Sequence, residues 1–256
     1  MDTFLLFLLQ GLLMVWFFRK IFNLSASDAK VNTCIALIAA TFYLLHPAIA
    51  ETVNYIIARS DLQSTLAVVA AFIIYQHSER ANRSYLYLIP IIIGALAKPT
   101  AIMFAPMLFC YVLLLEEQLS LTDIFSKLVF TVVKKTLPAF ICCAFLYWLQ
   151  DHLTPKTWQP GGTSPLQYLI TQPFVITHYF QMLFWPNGLS ADSDWGLIPG
   201  ISDWRFIAGA TFILVMLMIA FLPHAKRVKA NKLWDTVVLF SVIAYVQHYP
   251  TGRGVE

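Results

Sequence analysis

Eight stretches in which almost every side chain is apolar limit what this chain can become. They fall at about 4–18, 31–47, 62–76, 84–97, 99–115, 136–150, 204–222 and 233–249. Strict alternation of apolar and polar residues, the mark of a membrane barrel, is absent. In lipid only a helix or a closed barrel satisfies its own backbone polar groups, so the runs read as helices. A spanning helix takes about 20 residues, so eight would use about 160 of the 256. Charged residues make up 12% of the chain and hydrophobic ones 59%, against about 25% charged in an average soluble domain. That composition weighs against a soluble enzyme, a disordered chain or a disulfide scaffold. A net charge of +3 is too small to indicate a nucleic-acid partner. The expected fold is all-α: a polytopic membrane bundle forming a single transmembrane domain over 1–256, with about eight spans.

Cys34, Cys110, Cys142 and Cys143 all lie in apolar runs without CxxC spacing and read as structural thiols. The N-terminal run precedes its positive charges, Arg19 and Lys20, rather than following them. That order argues against a cleaved signal peptide and puts the start of the chain outside the membrane.

Two stretches are ambiguous. Residues 84–115 form either one long helix or a hairpin turning at Lys98-Pro99; a proline disfavours helical geometry in the residue before it, which favours the turn. Residues 165–185 either span the bilayer or lie along its surface. Basic residues concentrate on the cytoplasmic side of membrane proteins. With the hairpin and a surface helix, 12 of the 17 Lys and Arg fall on that side and 5 outside. A single span over 84–115 gives 8 against 8 with Lys98 inside the span, and a spanning 165–185 gives 10 against 7. The first arrangement is preferred, with an outer loop over 151–203 that holds the interfacial helix.

This topology gathers the chemically interesting residues outside. His46, Pro47 and Glu51 precede Arg59, Ser60 and Asp61. Glu51 and Arg59 are eight apart and share a face if the segment is helical. Asp61 opens the next run, where a carboxylate is favourable against the helix dipole. A helix cap with a snorkelling arginine accounts for the same residues; so does a polar site in which a carboxylate acts as base or metal ligand and Arg59 grips a phosphate. Lys98 either snorkels to the interface or meets a phosphate on a lipid-linked substrate. Asp192 and Asp194 have the spacing of a shared divalent cation, Mg²⁺ or Mn²⁺, although loop capping also produces it. Five of the seven Trp lie on this side, as an interfacial belt or as platforms for a sugar or lipid.

The HPxxxE element (His46, Pro47, Glu51), the RSDL that follows (Arg59 to Leu62), the hairpin at Lys98, and a stretch with Gln172, Tyr179, Trp185-Pro186, Leu189-Ser190 and Asp192 resemble one family. It is the transmembrane and tetratricopeptide-repeat O-mannosyltransferases with their bacterial relatives. The resemblance is best over 31–200, and Pro250-Thr251 also fits. It implies a GT-C fold acting on the non-cytoplasmic face. It further implies a polyprenyl-phosphate donor, mannose as the sugar, and a protein or glycan hydroxyl as acceptor. Carried over, it implies that His46, Glu51 and Asp61 are catalytic and that Arg59 and Lys98 hold the donor phosphate. A bacterial inner membrane is favoured over an endoplasmic reticulum. Pro99 departs from the family, in which an acidic residue commonly follows the lysine. Relative to that family the expectation is a chain lacking the first span, its acidic loop and the repeat domain. The readings left open are a glycosyltransferase core, a non-catalytic fragment or membrane subunit, and a transporter of a lipid-linked substrate.

Overall fold

The computed structural model describes residues 2–24, 28–55, 58–77, 79–117, 127–154, 165–187 and 196–221. Among them there is no strand, and the architecture is all-α. The described residues form two compact units, one ending at Leu153 and one beginning at Thr154.

The first unit opens with a helical hairpin of α1 (Asp2–Asn23) and α2 (Ala29–Leu45). Asp28 caps α2 by accepting a hydrogen bond from the Lys30 N–H at 3.1 Å, the usual task of an aspartate at a helix N-cap. The hairpin is antiparallel. Asn32 at the start of α2 donates to Asn23 at the end of α1 (3.1 Å), while Gln10 donates to the Tyr43 hydroxyl (2.7 Å). Gln10 and Asn32 are both buried, and these bonds pair their side-chain N–H groups, which would be costly to leave unpaired in an apolar setting. A 3₁₀ turn (Pro47–Ile49) and the short α3 (Ala50–Asn54) lead to α4 (Arg59–His77). α4 runs alongside α1 in the same direction: Thr3 meets Arg59 at one end, Phe17 packs on Phe72, and Trp16 meets His77 at the other.

After the short α5 (Glu79–Arg83), α6 (Leu88–Ala97) climbs back along α4. Tyr87 meets Tyr75, Gly94 faces Ala67, and Lys98 reaches Asp61. The chain then reverses. Lys98 is extended (φ −153°, ψ 133°), as the residue before a proline prefers, and Pro99 opens a 3₁₀ turn to Met103. α7 (Phe104–Tyr111) and a π-helical turn (Val112–Glu116) descend along α8 (Lys127–Leu153). Phe109 packs on Phe140, and Glu116 and Glu117 bind Lys135. Gln150, near the upper end of α8, donates to the Ala95 carbonyl. The hairpin expected at Lys98-Pro99 is therefore present. Phe72, Tyr75, Tyr87, Phe104 and Tyr111 interlock at the centre of this unit.

The helices also carry large apolar side chains on their outer faces. Leu12, Ile38, Ile93 and Ile141 are each more than 60% exposed. A water-soluble protein rarely presents such continuous apolar surface, whereas a lipid-facing one does. α1 and residues Phe130–Leu153 of α8 are long and apolar enough to cross a membrane, and α2 with the bent segment Pro47–Asn54 gives a third candidate. The hairpin arms are shorter: the ten residues of α6 rise only about 15 Å.

The second unit contains α9 (Pro165–Phe184) and α10 (Trp204–Phe221). They run in the same direction, with Phe174 on Trp204 and Phe180 on Phe212. The returning loop is pinned where the Ile198 N–H donates to Thr171 Oγ1 at 3.2 Å. A Cβ at Gly209 would lie 2.3 Å from the Pro173 carbonyl carbon, so the two backbones touch. α9 is not among the helices apolar enough to cross a bilayer. The run expected at 233–249 lies outside the described residues.

The approach of α4 and α6 depends on Gly94, where an added Cβ would stand 2.5 Å from Ala67 Cβ. Gly94→Leu is expected to lower unfolding stability in detergent by about 1–3 kcal/mol through overpacking. Gly200→Ala, with open space around it, is expected to leave the unfolding curve in place.

Candidate functional site

Three chain ends meet at one pole of the first unit: the start of α1, the start of α4 and the turn after α6. Asp61 is the third residue of α4. Its carboxylate sits in the first turn, where unpaired N–H groups and the helix dipole favour negative charge. Its carbonyl accepts from the Thr65 hydroxyl at 2.9 Å. Lys98 ends α6, with its N–H returning to the Gly94 carbonyl at 2.8 Å. The extended backbone at Lys98 breaks the helix there, and Nζ forms an ion pair with Asp61 Oδ1.

The pair is largely shielded, with side-chain exposures of 14% for Lys98 and 23% for Asp61. Such a pair gains more Coulomb energy than one in open water, but each ion has lost hydration. Breaking it from one side leaves an uncompensated charge. Two hydrogen bonds brace the same corner: Ser64 with Thr100 at 3.0 Å, linking α4 to the turn, and Gln150 to Ala95, linking α8 to α6.

Arg59 begins α4 and is partly buried; its Nε donates to Thr3 Oγ1 at 3.2 Å. The bond uses the inner nitrogen, and the outer edge of the guanidinium is the part suited to bidentate contact with a phosphate. His46 occupies the C-cap of α2. Its Nδ1 accepts from the Ala48 N–H at 3.3 Å and its ring lies edge-on to Phe42. This bond turns the Nδ1 lone pair toward the backbone.

Glu51 and Arg59 would share a face only on one continuous helix, and that condition is not met: α3 ends at Asn54, α4 starts at Arg59, and Tyr55 lies outside both helices. An eight-residue spacing carries no common face across such a break. The Glu51 side chain, Asp192, Asp194 and the Pro250-Thr251 element lie outside the described residues. Among the described residues, no three His, Cys, Asp or Glu side chains gather as a metal site. Gln172 and Tyr179 both lie on α9 in the second unit.

Asp61 and Lys98 thus meet directly, while Arg59 stands two residues before Asp61 at the same helix start. Thr3, Ser64, Thr100 and Gln150 were missed by sequence reasoning. Each is a polar residue inside or beside an apolar run, which is the signal that marks them. No family model, curated protein or solved structure matches the chain.

A double-mutant cycle tests the ion pair. Lys98→Met and Asp61→Asn are each expected to destabilise the protein, with a coupling of about 1–2 kcal/mol in the double variant. Additive effects in chemical unfolding would show that the two side chains do not interact.

Proposed function

We propose that the chain is the membrane core of a GT-C-type glycosyltransferase. It would take a sugar, mannose by resemblance, from a polyprenyl-phosphate carrier and pass it to a protein or glycan hydroxyl. The reaction would lie on the non-cytoplasmic face, in a bacterial inner membrane by preference. About eight spans, with both termini outside, belong to the same proposal. The observation that carries it is the meeting of Asp61 and Lys98 beside Arg59 at one pole of a helical unit with an apolar exterior.

In such a transfer the acceptor oxygen bonds to the anomeric carbon and the bond from that carbon to the phosphate oxygen breaks. The carrier phosphate departs with the electron pair, and the hydroxyl proton passes to a base. Arg59 and Lys98 supply positive charge where the departing phosphate gains negative charge, a stabilisation that is strongest away from water. Asp61 holds Lys98 in place and is, with Glu51, a candidate to orient the acceptor or take its proton. A divalent cation, Mg²⁺ or Mn²⁺, enters the proposal only through Asp192 and Asp194 and is given no step.

A second reading has one observation in its favour. Asp61 already neutralises Lys98, so the pair also serves as a clamp between α4 and α6 in a non-catalytic membrane subunit. The two readings separate on Arg59. In the reconstituted chain supplied with polyprenyl-phosphate mannose and a Ser/Thr peptide, Arg59→Ala is expected to lower sugar transfer about a hundredfold. Its membrane insertion and melting should match the wild type, and Arg59→Lys should recover part of the rate. Equal transfer by Arg59→Ala and wild type would remove Arg59 from the site, and no transfer by wild type would favour the subunit.

A further inference from the structure

The opposite pole of the first unit holds a second polar concentration that glycosyl transfer does not use. A cavity of about 510 Å³ opens there, lined among others by Tyr75, Asn82, Arg83, Tyr85, Lys134 and Lys135. Lys135 is already engaged, at 3.2 Å from Glu116 and 2.7 Å from Glu117. Tyr75 donates to Glu116 at 3.3 Å, so the carboxylates are held on the Lys135 side. Arg83 and Lys134 bring two further positive charges to the lining.

The rim is also shaped by strain. Tyr85 adopts φ 56°, the left-handed region that a residue with a Cβ occupies only at an energetic cost. Its N–H bonds to the Asn82 carbonyl at 3.1 Å, which closes the turn between α5 and α6 and sets the ring at the cavity wall. Strain of this kind persists where the surroundings impose it, and it collects at ligand sites.

Exposed apolar side chains climb away from the cavity on both of its walls. On α8 they are Leu137, Ile141 and Phe145; on the other wall they are Leu86, Ile89 and Ile93. Leu137, Ile141 and Phe145 on α8, and Ile89 and Ile93 on α6, recur at four-residue intervals, so each set makes one stripe along its helix; Leu86 lies in the turn before α6. A cationic cavity at the foot of two lipid-facing stripes matches a molecule with an anionic head and a long apolar tail. A free phosphate would use the cavity and leave the stripes without a role.

We propose that this cavity binds the phosphate headgroup of an anionic membrane phospholipid, with its acyl chains against the stripes of α6 and α8. The site rests on the first unit crossing a bilayer and does not depend on glycosyl transfer. Arg83 and Lys134 hold the phosphate, Asn82 and Tyr85 offer hydrogen bonds to the headgroup, and the Glu116–Lys135–Glu117 cluster closes the back.

The test uses the full chain in nanodiscs of phosphatidylcholine, with and without phosphatidylglycerol, and counts retained lipid by native mass spectrometry. Wild type is expected to retain phosphatidylglycerol over phosphatidylcholine by roughly tenfold, from two basic contacts to one anionic head. The Arg83→Gln/Lys134→Gln variant is expected to lose that preference, and Lys20→Gln, which removes a basic residue outside the lining, to keep it. If the double variant does not fold, Tyr85→Gly gives the second reading: glycine accepts the left-handed turn, and loss of the ring should weaken retention. Equal retention of the two lipids by wild type would overturn the proposal. So would a preference that survives in Arg83→Gln/Lys134→Gln, or in Tyr85→Gly where that variant stands in. Displacement of the lipid by millimolar inorganic phosphate would identify a soluble anion site and overturn it as well.

Discussion

The absence of a side chain at Gly94 is the constraint on which the upper pole depends. Ala67 stands where a Cβ at Gly94 would be, so α4 and α6 approach to backbone distance along this stretch. Small residues at helix crossings allow this in membranes, where packing replaces the hydrophobic drive between helices. The approach brings the end of α6 over the start of α4 and sets Lys98 against Asp61. Pro99 then does two things at one residue: it ends α6 by forcing Lys98 into extended geometry, and it starts the descending arm. A larger residue at 94 or a helical residue at 98 would separate the charges.

The two poles of the first unit are chemically unlike, and the difference follows from the helix directions. α1 and α4 run in one direction and α2 and α6 in the other, so residues far apart in sequence gather by level. Thr3, His46, Arg59, Asp61 and Lys98 share one pole. Arg19 and Lys20 lie at the other end of α1, and Arg83, Lys134 and Lys135 collect beyond the far ends of α4 and α6. The first pole balances Asp61 against Lys98 within a shielded pair. The second keeps a surplus of positive charge around an open cavity. Positive-inside counting had already separated these groups, and the contacts between helices separate them again by an unrelated route.

Much of this was legible in the sequence, for identifiable reasons. The apolar runs specify helices because lipid permits little else, and the Lys98-Pro99 turn follows from the sterics of proline. What the runs do not carry is the distance between elements. Asp61 and Lys98 are 37 residues apart, and their meeting depends on a glycine that reads in isolation as one more small residue in an apolar stretch. A face shared by Glu51 and Arg59 required a continuous helix, and spacing alone does not show that α3 stops at Asn54. The HPxxxE resemblance makes His46 a site residue, and the spacing does not reveal that its ring nitrogen also caps a 3₁₀ turn. Hydropathy shows that several runs are shorter than a full span, but not that the hairpin arms contain 3₁₀ and π turns and an α6 of ten residues.

Those short arms bear on the chemistry. Lys135 and Gln150 on α8 mark the levels at which the hairpin is tied at its foot and near its turn. Fifteen residues of helix rise only about 22 Å, against a hydrocarbon core of about 30 Å. A bilayer around the hairpin must either thin locally or leave the turn beneath the headgroups. If the first unit crosses a bilayer as proposed, the Asp61–Lys98 pair lies close to lipid in both cases, where water is scarce and a charge acts over a longer range than at an open surface. A polyprenyl-phosphate carries its phosphate directly on its lipid chain, so it presents that group at the same depth. On the proposed reading, a lysine held there by a carboxylate would reach that phosphate without the substrate leaving the bilayer, which a site on a tall extramembrane loop could not do.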